Sequence, residues 1–161
     1  MRLLPQVESA LEALPVDYEV MDCDPALADT AAFCEAYGVD PADSANTILV
    51  ASRRPEGKVA ACIALATTRL DVNHKVRHLM GVRKLSFASE EQTLEASGMM
   101  IGGVTPFGLP LEIPVYVDAA VMERPEIVLG GGNRSSKLRL MPSVLLALPS
   151  VSVIEELANP F

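Results

Sequence analysis

The segment from Ile101 to Pro110 constrains the fold more than any other part of the sequence. It places three glycines and two prolines within ten residues, between a helix-like segment that stops at Gly98 and an apolar run at 115–117. Glycine permits positive φ and close backbone approach, whereas proline fixes φ and removes an N–H donor. The segment therefore predicts a loop of fixed shape. It is either an ordinary structural turn or a loop whose remaining N–H groups face a ligand.

The length of 161 residues predicts one domain, over 1–161, with enough apolar residues for a core. No apolar run reaches the ~18 residues of a membrane span, so we expect no membrane association. The N-terminus lacks the continuous apolar segment of a signal peptide, which predicts a cytoplasmic location. The three cysteines, Cys23, Cys34 and Cys62, are widely spaced and odd in number. That pattern favours buried free thiols over disulfides or a zinc site.

Charge is distributed unevenly along the chain. Residues 1–50 hold ten acidic residues and one basic residue, whereas 69–84 hold five basic residues and one acidic residue. A net charge of -8 argues against general binding of nucleic acid, because phosphate attraction supplies most non-specific affinity. Segment 69–84 is thus either a solvated helix face or a local site for a polyanion.

Apolar periodicity and capping residues predict the secondary structure. Helices are predicted to begin at Pro5, at Asp29 or Thr30, at Asp71, at Ser89 and after Pro142. Strands are predicted at 18–23, 47–51, 59–66, 115–117, 127–129, 138–140 and 151–154, with 47–51 and 59–66 forming a hairpin. Strand 59–66 is apolar at almost every position, which indicates the centre of a sheet.

His74 and His78 have the i, i+4 spacing of a metal pair on the helix that begins at Asp71. They lie across that helix from its apolar stripe, which favours a solvated face. We therefore expect neither a metal nor a cofactor.

Two halves of the chain together resemble the YbaK/ProX family of prolyl-tRNA editing domains. Thr30, the short helix ending at Gly38 and the strand ANTILVAS at 45–52 resemble its first half. GGVTPFGLP at 102–110 and GGGNRSSKLRL at 130–140 resemble its second half. The resemblance covers nearly the whole chain. It implies an α+β fold, with a single compact domain in which helices flank a curved mixed β-sheet.

The resemblance also implies an activity. Members of the family hydrolyse the ester that links a wrong, small amino acid to the terminal adenosine of a tRNA, typically one for proline, and a ribose hydroxyl of the tRNA helps to activate the water. The implied partners are the acceptor end of an aminoacyl-tRNA and an aminoacyl-tRNA synthetase. The implied catalytic residues are Asn46, Gly102 and Gly103. The implied substrate-binding residues are Thr30, Val104, Thr105, Pro106, Phe107, Gly108, Gly131, Gly132 and Asn133. Backbone donors held around a developing oxyanion would be the main catalytic element.

The chain departs from the family pattern at Asn46, where deacylases generally carry a lysine. An amide has no charge, and losing a charge-assisted contact costs about 1.5 to 3 kcal/mol. Two hypotheses follow: a divergent deacylase, or a non-catalytic module that binds aminoacyl-tRNA or a synthetase. On the first, Asn46→Lys is expected to raise hydrolysis. Phosphate contacts are predicted at Lys75, Arg77, Arg83, Lys84, Arg134 and Lys137.

Overall fold

A computed structural model of the chain describes residues 3–161. Met1 and Arg2 lie outside the described residues. They begin the N-terminal segment in which the sequence analysis found no signal peptide. The helices are α1 Pro5–Glu12, α2 Thr30–Tyr37, α3 Arg77–Met80, α4 Glu90–Ser97 and α5 Ala119–Met122. The strands are β1 Glu19–Asp22, β2 Ala45–Arg54, β3 Glu56–Leu65, β4 Thr68–Leu70, β5 Lys84–Phe87, β6 Val115–Asp118, β7 Ile127–Gly130, β8 Ser136–Leu140, β9 Val151–Ile154 and β10 Ala158–Pro160.

The main sheet is mixed and has the strand order β5-β2-β3-β6-β9. β2 pairs antiparallel with β3 and β5, whereas β6 pairs parallel with β3 and β9. The predicted hairpin is therefore confirmed, and it is longer than predicted. Residues 60–65 of β3 are all buried, which confirms the central place expected of an apolar strand.

A second sheet positions the start of β2. β1, β8 and β7 form an antiparallel sheet in that order, and a parallel bridge between Ser44 and Val128 joins β7 to the residue before β2. A third pair, β4 with β10, was not predicted. The predicted α+β class with a mixed sheet flanked by helices is confirmed.

Local capping chemistry sets several helix ends as predicted. Gly38 and Gly98 end α2 and α4 in the left-handed conformation, and Ser89 and Gln92 form a reciprocal capping box before α4. The predicted third helix differs, since Asp71 accepts from the N–H of His74 and a π-helical turn, Val72–Val76, precedes α3. The segment after Pro142 is a 3₁₀ helix, Pro142–Ala147.

The largest core cluster takes in the glycine-proline segment itself. Val104 and Phe107 pack there with Val7 and Leu11 of α1, and Phe107 has no exposed surface. All three cysteines are buried and free, as expected. None of the helices within 3–161 has the length and apolar character that a bilayer crossing requires.

Candidate functional site

A cavity of about 320 Å³ lies where the start of β2 meets the end of β7, the start of α2 and the glycine-proline segment. Its apolar walls are Phe33, Ala45, Ile48, Ile101, Val104, Val128 and Leu129. Its polar and glycine lining is Asp29, Thr30, Ser44, Asn46, Thr47, Gly102, Gly130 and Lys137. Apolar walls with a few convergent polar groups are typical of a small-molecule site, and this volume lies at the small end of the usual range.

Asn46 enters the cavity from β2 and is held by the first residue of α2. The Thr30 hydroxyl donates to Asn46 Oδ1 over 2.7 Å. Neither Asp29 nor Thr30 uses its side chain to cap α2, although either was a candidate cap. Because Oδ1 is occupied, the Nδ2 amide group of Asn46 is left as the donor for a ligand.

The two glycine clusters of the sequence pack backbone against backbone. Gly132 N donates to Gly103 O over 2.6 Å. A Cβ on Gly103 would overlap the carbonyl of Asn133, and a Cβ on Gly130 would overlap backbone atoms of Gly103 and Val104. Only glycine permits this approach, so the two clusters together form one wall of the cavity.

Arg134 connects the segment before α2 to Ile101 at the rim of the cavity. Its Nε donates to Pro25 O over 3.1 Å, and its Nη1 donates to Asp29 Oδ1 over 3.1 Å and to Ile101 O over 3.0 Å. Gly102 lies directly beneath with a φ of 94°, and a Cβ there would overlap Arg134 Nη1. The N–H of Gly102 has no acceptor among residues 3–161.

Lys137 reaches the cavity from β8, and its side chain is buried. Its relative exposure is 7%, and Nζ donates to Ala28 O over 2.9 Å and to Gly102 O over 2.8 Å. The same Nζ lies 5.2 Å from the centre of the Phe33 ring. Burial lowers the pKa of the Lys137 ammonium, since desolvation disfavours the charged form.

Comparison with known proteins assigns the chain to a family. The profile of the aminoacyl-tRNA editing domain matches residues 24–148, and therefore every element that lines the cavity. The chain belongs to the aminoacyl-tRNA editing domain family. The protein YwhH of Bacillus subtilis, itself uncharacterized, is 33% identical over 112 residues, which are 69% of this chain and 68% of YwhH.

Two further relatives of this editing domain are informative. The proline–tRNA ligase of Nautilia profundicola is 29% identical over 66% of this chain, and the match spans only 18% of that ligase. The solved structure of a proposed trans-editing enzyme for prolyl tRNA synthetase superposes with a TM-score of 0.81 at 24% identity, covering 98% of this chain and 96% of that one. The second likeness shows a shared fold.

The structure brings some of the predicted site residues of the editing domain together and separates others. Thr30, Asn46, Gly102 and Val104 all line the cavity. The other predicted substrate-binding and catalytic residues do not: Gly103, Thr105, Pro106, Phe107, Gly108, Gly131, Gly132 and Asn133. The roles of the four lining residues remain predictions.

Residues 105–107 are buried and do not line the cavity, and the N–H of Gly103 already donates to Met100 O over 2.9 Å. The backbone donor expected of Gly103 is therefore occupied. Gly108 has a φ of 86° and lies against the backbone of Gln6. None of these residues lines the cavity, and their contact with substrate stays a prediction.

The predicted phosphate contacts separate into two groups. Arg83 and Lys84 are exposed, and Lys75 and Arg77 are partly exposed. Arg134 and Lys137 instead donate to groups around the cavity. The phosphate contacts of all six residues stay predictions.

Arg54 groups with the exposed residues Arg83 and Lys84, and the sequence analysis did not predict it as a phosphate contact. Arg54 lies opposite Lys84 in the β2–β5 register, and its carbonyl accepts from Arg83 N over 2.8 Å. Among residues 3–161, no carboxylate pairs with Arg54, Arg83 or Lys84. Like charges on neighbouring strands destabilise a sheet, so this cluster is a candidate for anion contact.

Proposed function

We propose that this editing domain hydrolyses the ester of a small amino acid mischarged to tRNA, in trans. The observation that carries the proposal is the small cavity, which Asn46 and Gly102 both line. The Nδ2 group of Asn46 and the N–H of Gly102 have no acceptor among residues 3–161. A volume near 320 Å³ favours a small aminoacyl group over a large one. The trans-editing relative and the proline–tRNA ligase relative support a proline tRNA as carrier.

In the proposed reaction, water attacks the ester carbonyl and its oxygen forms the new bond to carbon. The carbonyl oxygen becomes an oxyanion, and Asn46 Nδ2 and the Gly102 N–H would donate hydrogen bonds to it. Donors held in advance where charge develops are commonly the largest catalytic contribution. The ester C–O bond then breaks, the ribose oxygen takes a proton, and the free amino acid leaves. We assign the proton transfer to the neighbouring ribose hydroxyl and water, as the resemblance to the family implies; no histidine is among the described residues that line the cavity.

The tRNA body would lie along β2 towards the basic cluster of Arg54, Arg83 and Lys84. Asn46 and Arg54 are eight residues apart on the same strand, so they are roughly 25 Å apart. Phosphates upstream of the terminal adenosine would meet the cluster while the ester occupies the cavity. The acidic N-terminal third would repel the polyanion elsewhere, which favours this single approach.

The direct test is deacylation of proline tRNA charged in turn with alanine, cysteine, serine, threonine and proline. We expect hydrolysis of at least one small non-cognate ester above the spontaneous rate, and none of the prolyl ester. If wild-type protein binds charged tRNA but hydrolyses no ester on the panel, the domain is the non-catalytic binding module and the proposal is wrong.

A matched glycine pair tests whether hydrolysis takes place in this cavity. Gly102 and Gly57 have φ values of 94° and 101°, so alanine causes similar backbone strain at both. A Cβ at Gly102 would overlap Arg134 Nη1 and force its guanidinium to move, whereas a Cβ at Gly57 would meet nothing within 4 Å. Gly102→Ala should lower kcat/KM at least tenfold, and Gly57→Ala should leave it within twofold. Equal effects of the two variants would place the reaction elsewhere.

A further inference from the structure

Lys137 is a buried cation with no carboxylate partner. Its two acceptors, Ala28 O and Gly102 O, are neutral carbonyls, and among residues 3–161 no acid lies within ion-pair distance of its Nζ. Burying a charge costs several kcal/mol unless it is paired. A sequence that tolerates this cost at the wall of a cavity indicates a use for the charge.

The neighbours of Lys137 do not neutralise it. Four titratable groups act on it electrostatically: Cys23, Cys34, Asp29 and Arg134. Burial raises the pKa of the Cys23 and Cys34 thiols, so both are neutral near pH 7. Asp29 is exposed and already bound by Arg134. Among residues 3–161, no carboxylate is therefore placed to pair with the Lys137 ammonium.

The donor count of Lys137 leaves room for a ligand. An ammonium has three N–H donors, and the described residues accept two of them. The Nζ approaches the cavity from β8, whereas Asn46 enters from β2. The two strands thus deliver a charged donor and an uncharged donor to the same small space.

We propose that Lys137 is the cationic catalytic residue of this editing domain, supplying from β8 the positive charge that position 46 lacks. This inference rests on the proposed deacylase function. The third N–H of the ammonium contacts the carbonyl oxygen of the ester as negative charge develops there. Lys137 also fixes Gly102 through its carbonyl, so the charged donor and the Gly102 N–H are held together.

A two-site exchange of the charge tests this role. Lys137→Met removes the ammonium but keeps the stem, and should lower kcat/KM for the best ester about ten- to a hundredfold. Asn46→Lys alone places a second ammonium in the same cavity and should give no gain. The double variant Asn46→Lys/Lys137→Met returns one charge at the other wall and should recover at least fivefold over Lys137→Met. A merely structural role of Lys137 predicts no such recovery, since a lysine at 46 restores no contact to Ala28.

A binding measurement on wild-type protein covers the case in which Lys137→Met does not fold. The probe is an adenosine ester of 1-aminoethylphosphonate, whose anionic tetrahedral phosphorus imitates the attacked alanyl ester. The chain has four lysines, so lysine-selective carbon labelling gives four resolvable NMR signals. Binding should raise the pKa of the Lys137 signal by at least one unit, because an adjacent anion favours the charged form. The signals of Lys58, Lys75 and Lys84 serve as internal controls.

The outcomes separate the two proposals. If wild type hydrolyses esters and Lys137→Met stays within twofold of it, Lys137 is not catalytic and the deacylase function stands. If Lys137→Met is impaired, the double variant does not recover and the probe leaves the pKa of Lys137 unchanged, Lys137 is a structural support only. If wild type hydrolyses no ester, the deacylase function fails, and an unchanged pKa of Lys137 with the phosphonate bound overturns the charge role as well.

Discussion

Gly103→Ala should destabilise this domain through a backbone overlap. Gly103 does not have a positive φ, so alanine at this position causes no left-handed strain. Its Cβ would instead coincide with the Asn133 carbonyl, and backbone cannot move aside as a flexible side chain can. Overpacking of this kind costs about 1–3 kcal/mol. Separating the segments would also break the 2.6 Å bond from Gly132 N to Gly103 O, for about 1 kcal/mol more. The expected loss of unfolding free energy is about 2–4 kcal/mol.

Urea denaturation followed by circular dichroism measures this loss, and Gly81→Ala is the matched control. Gly81 has a φ of 64° at the end of α3, and a Cβ there would meet nothing within 4 Å. Alanine at 81 should therefore cost only the left-handed strain, about 1 kcal/mol. With a urea slope of about 2 kcal/mol per molar, Gly103→Ala should lower the midpoint by roughly 1–2 M and Gly81→Ala by about 0.5 M. Equal midpoints would refute the backbone interlock between the two glycine clusters.

Three further perturbations have defined expectations. The Thr105 hydroxyl is fully buried without a partner among residues 3–161. Thr105→Val should therefore raise the unfolding free energy by about 1 kcal/mol, whereas Thr105→Ser should lower it. A lower unfolding free energy with valine would mean that the hydroxyl has a partner. Thr30→Val removes the donor to Asn46 and should lower kcat/KM about five- to tenfold, whereas Thr30→Ser should retain activity. Equal kcat/KM values for the two variants would show that Asn46 needs no orientation by Thr30. Charge reversal at Arg83 and at Lys84 should each reduce the salt slope of tRNA binding by about one, and an unchanged slope would exclude both from the phosphate contact.

The features predicted best from the sequence are those decided by local chemistry. Gly38 and Gly98 end helices because a left-handed residue must follow the last turn, and Ser89 begins α4 through its own hydroxyl. Such signals need no knowledge of the rest of the fold. By contrast, β10 ends in Pro160 and pairs with β4 across most of the chain, so no local pattern marked either strand.

The glycine-proline segment shows where a sequence prediction of function stops. Its glycines and prolines indicated a shaped loop, and the loop is shaped. Composition does not say which side of a loop faces a ligand, because permitted φ values and side-chain direction are separate properties. Only Ile101, Gly102 and Val104 of this segment line the cavity, and Phe107 turns into the core against α1.

The burial of Lys137 depends on parts of the chain that are distant in sequence. Strand alternation puts Leu138 and Leu140 on one face of β8 and Lys137 with Arg139 on the other, but it does not say what covers that other face. In the fold, Phe33 of α2 and Ala28 cover it at Lys137, so the side chain is enclosed. Its charge is then screened less than that of a surface lysine, and a donor in such an environment acts more strongly on a nearby oxyanion.

This placement reverses the expectation for Asn46→Lys that the sequence alone supports. Considered by itself, Asn46 is a missing charge, and a lysine there should raise activity. With Lys137 already in the same cavity, a second ammonium would repel the first and would also give up the bond from Thr30. If Lys137 acts as we propose, the reaction requires one positive charge near the ester oxygen, and either wall can supply it. On that proposal, Asn46 and Lys137 form a coupled pair, and the effect of substituting one depends on the residue at the other.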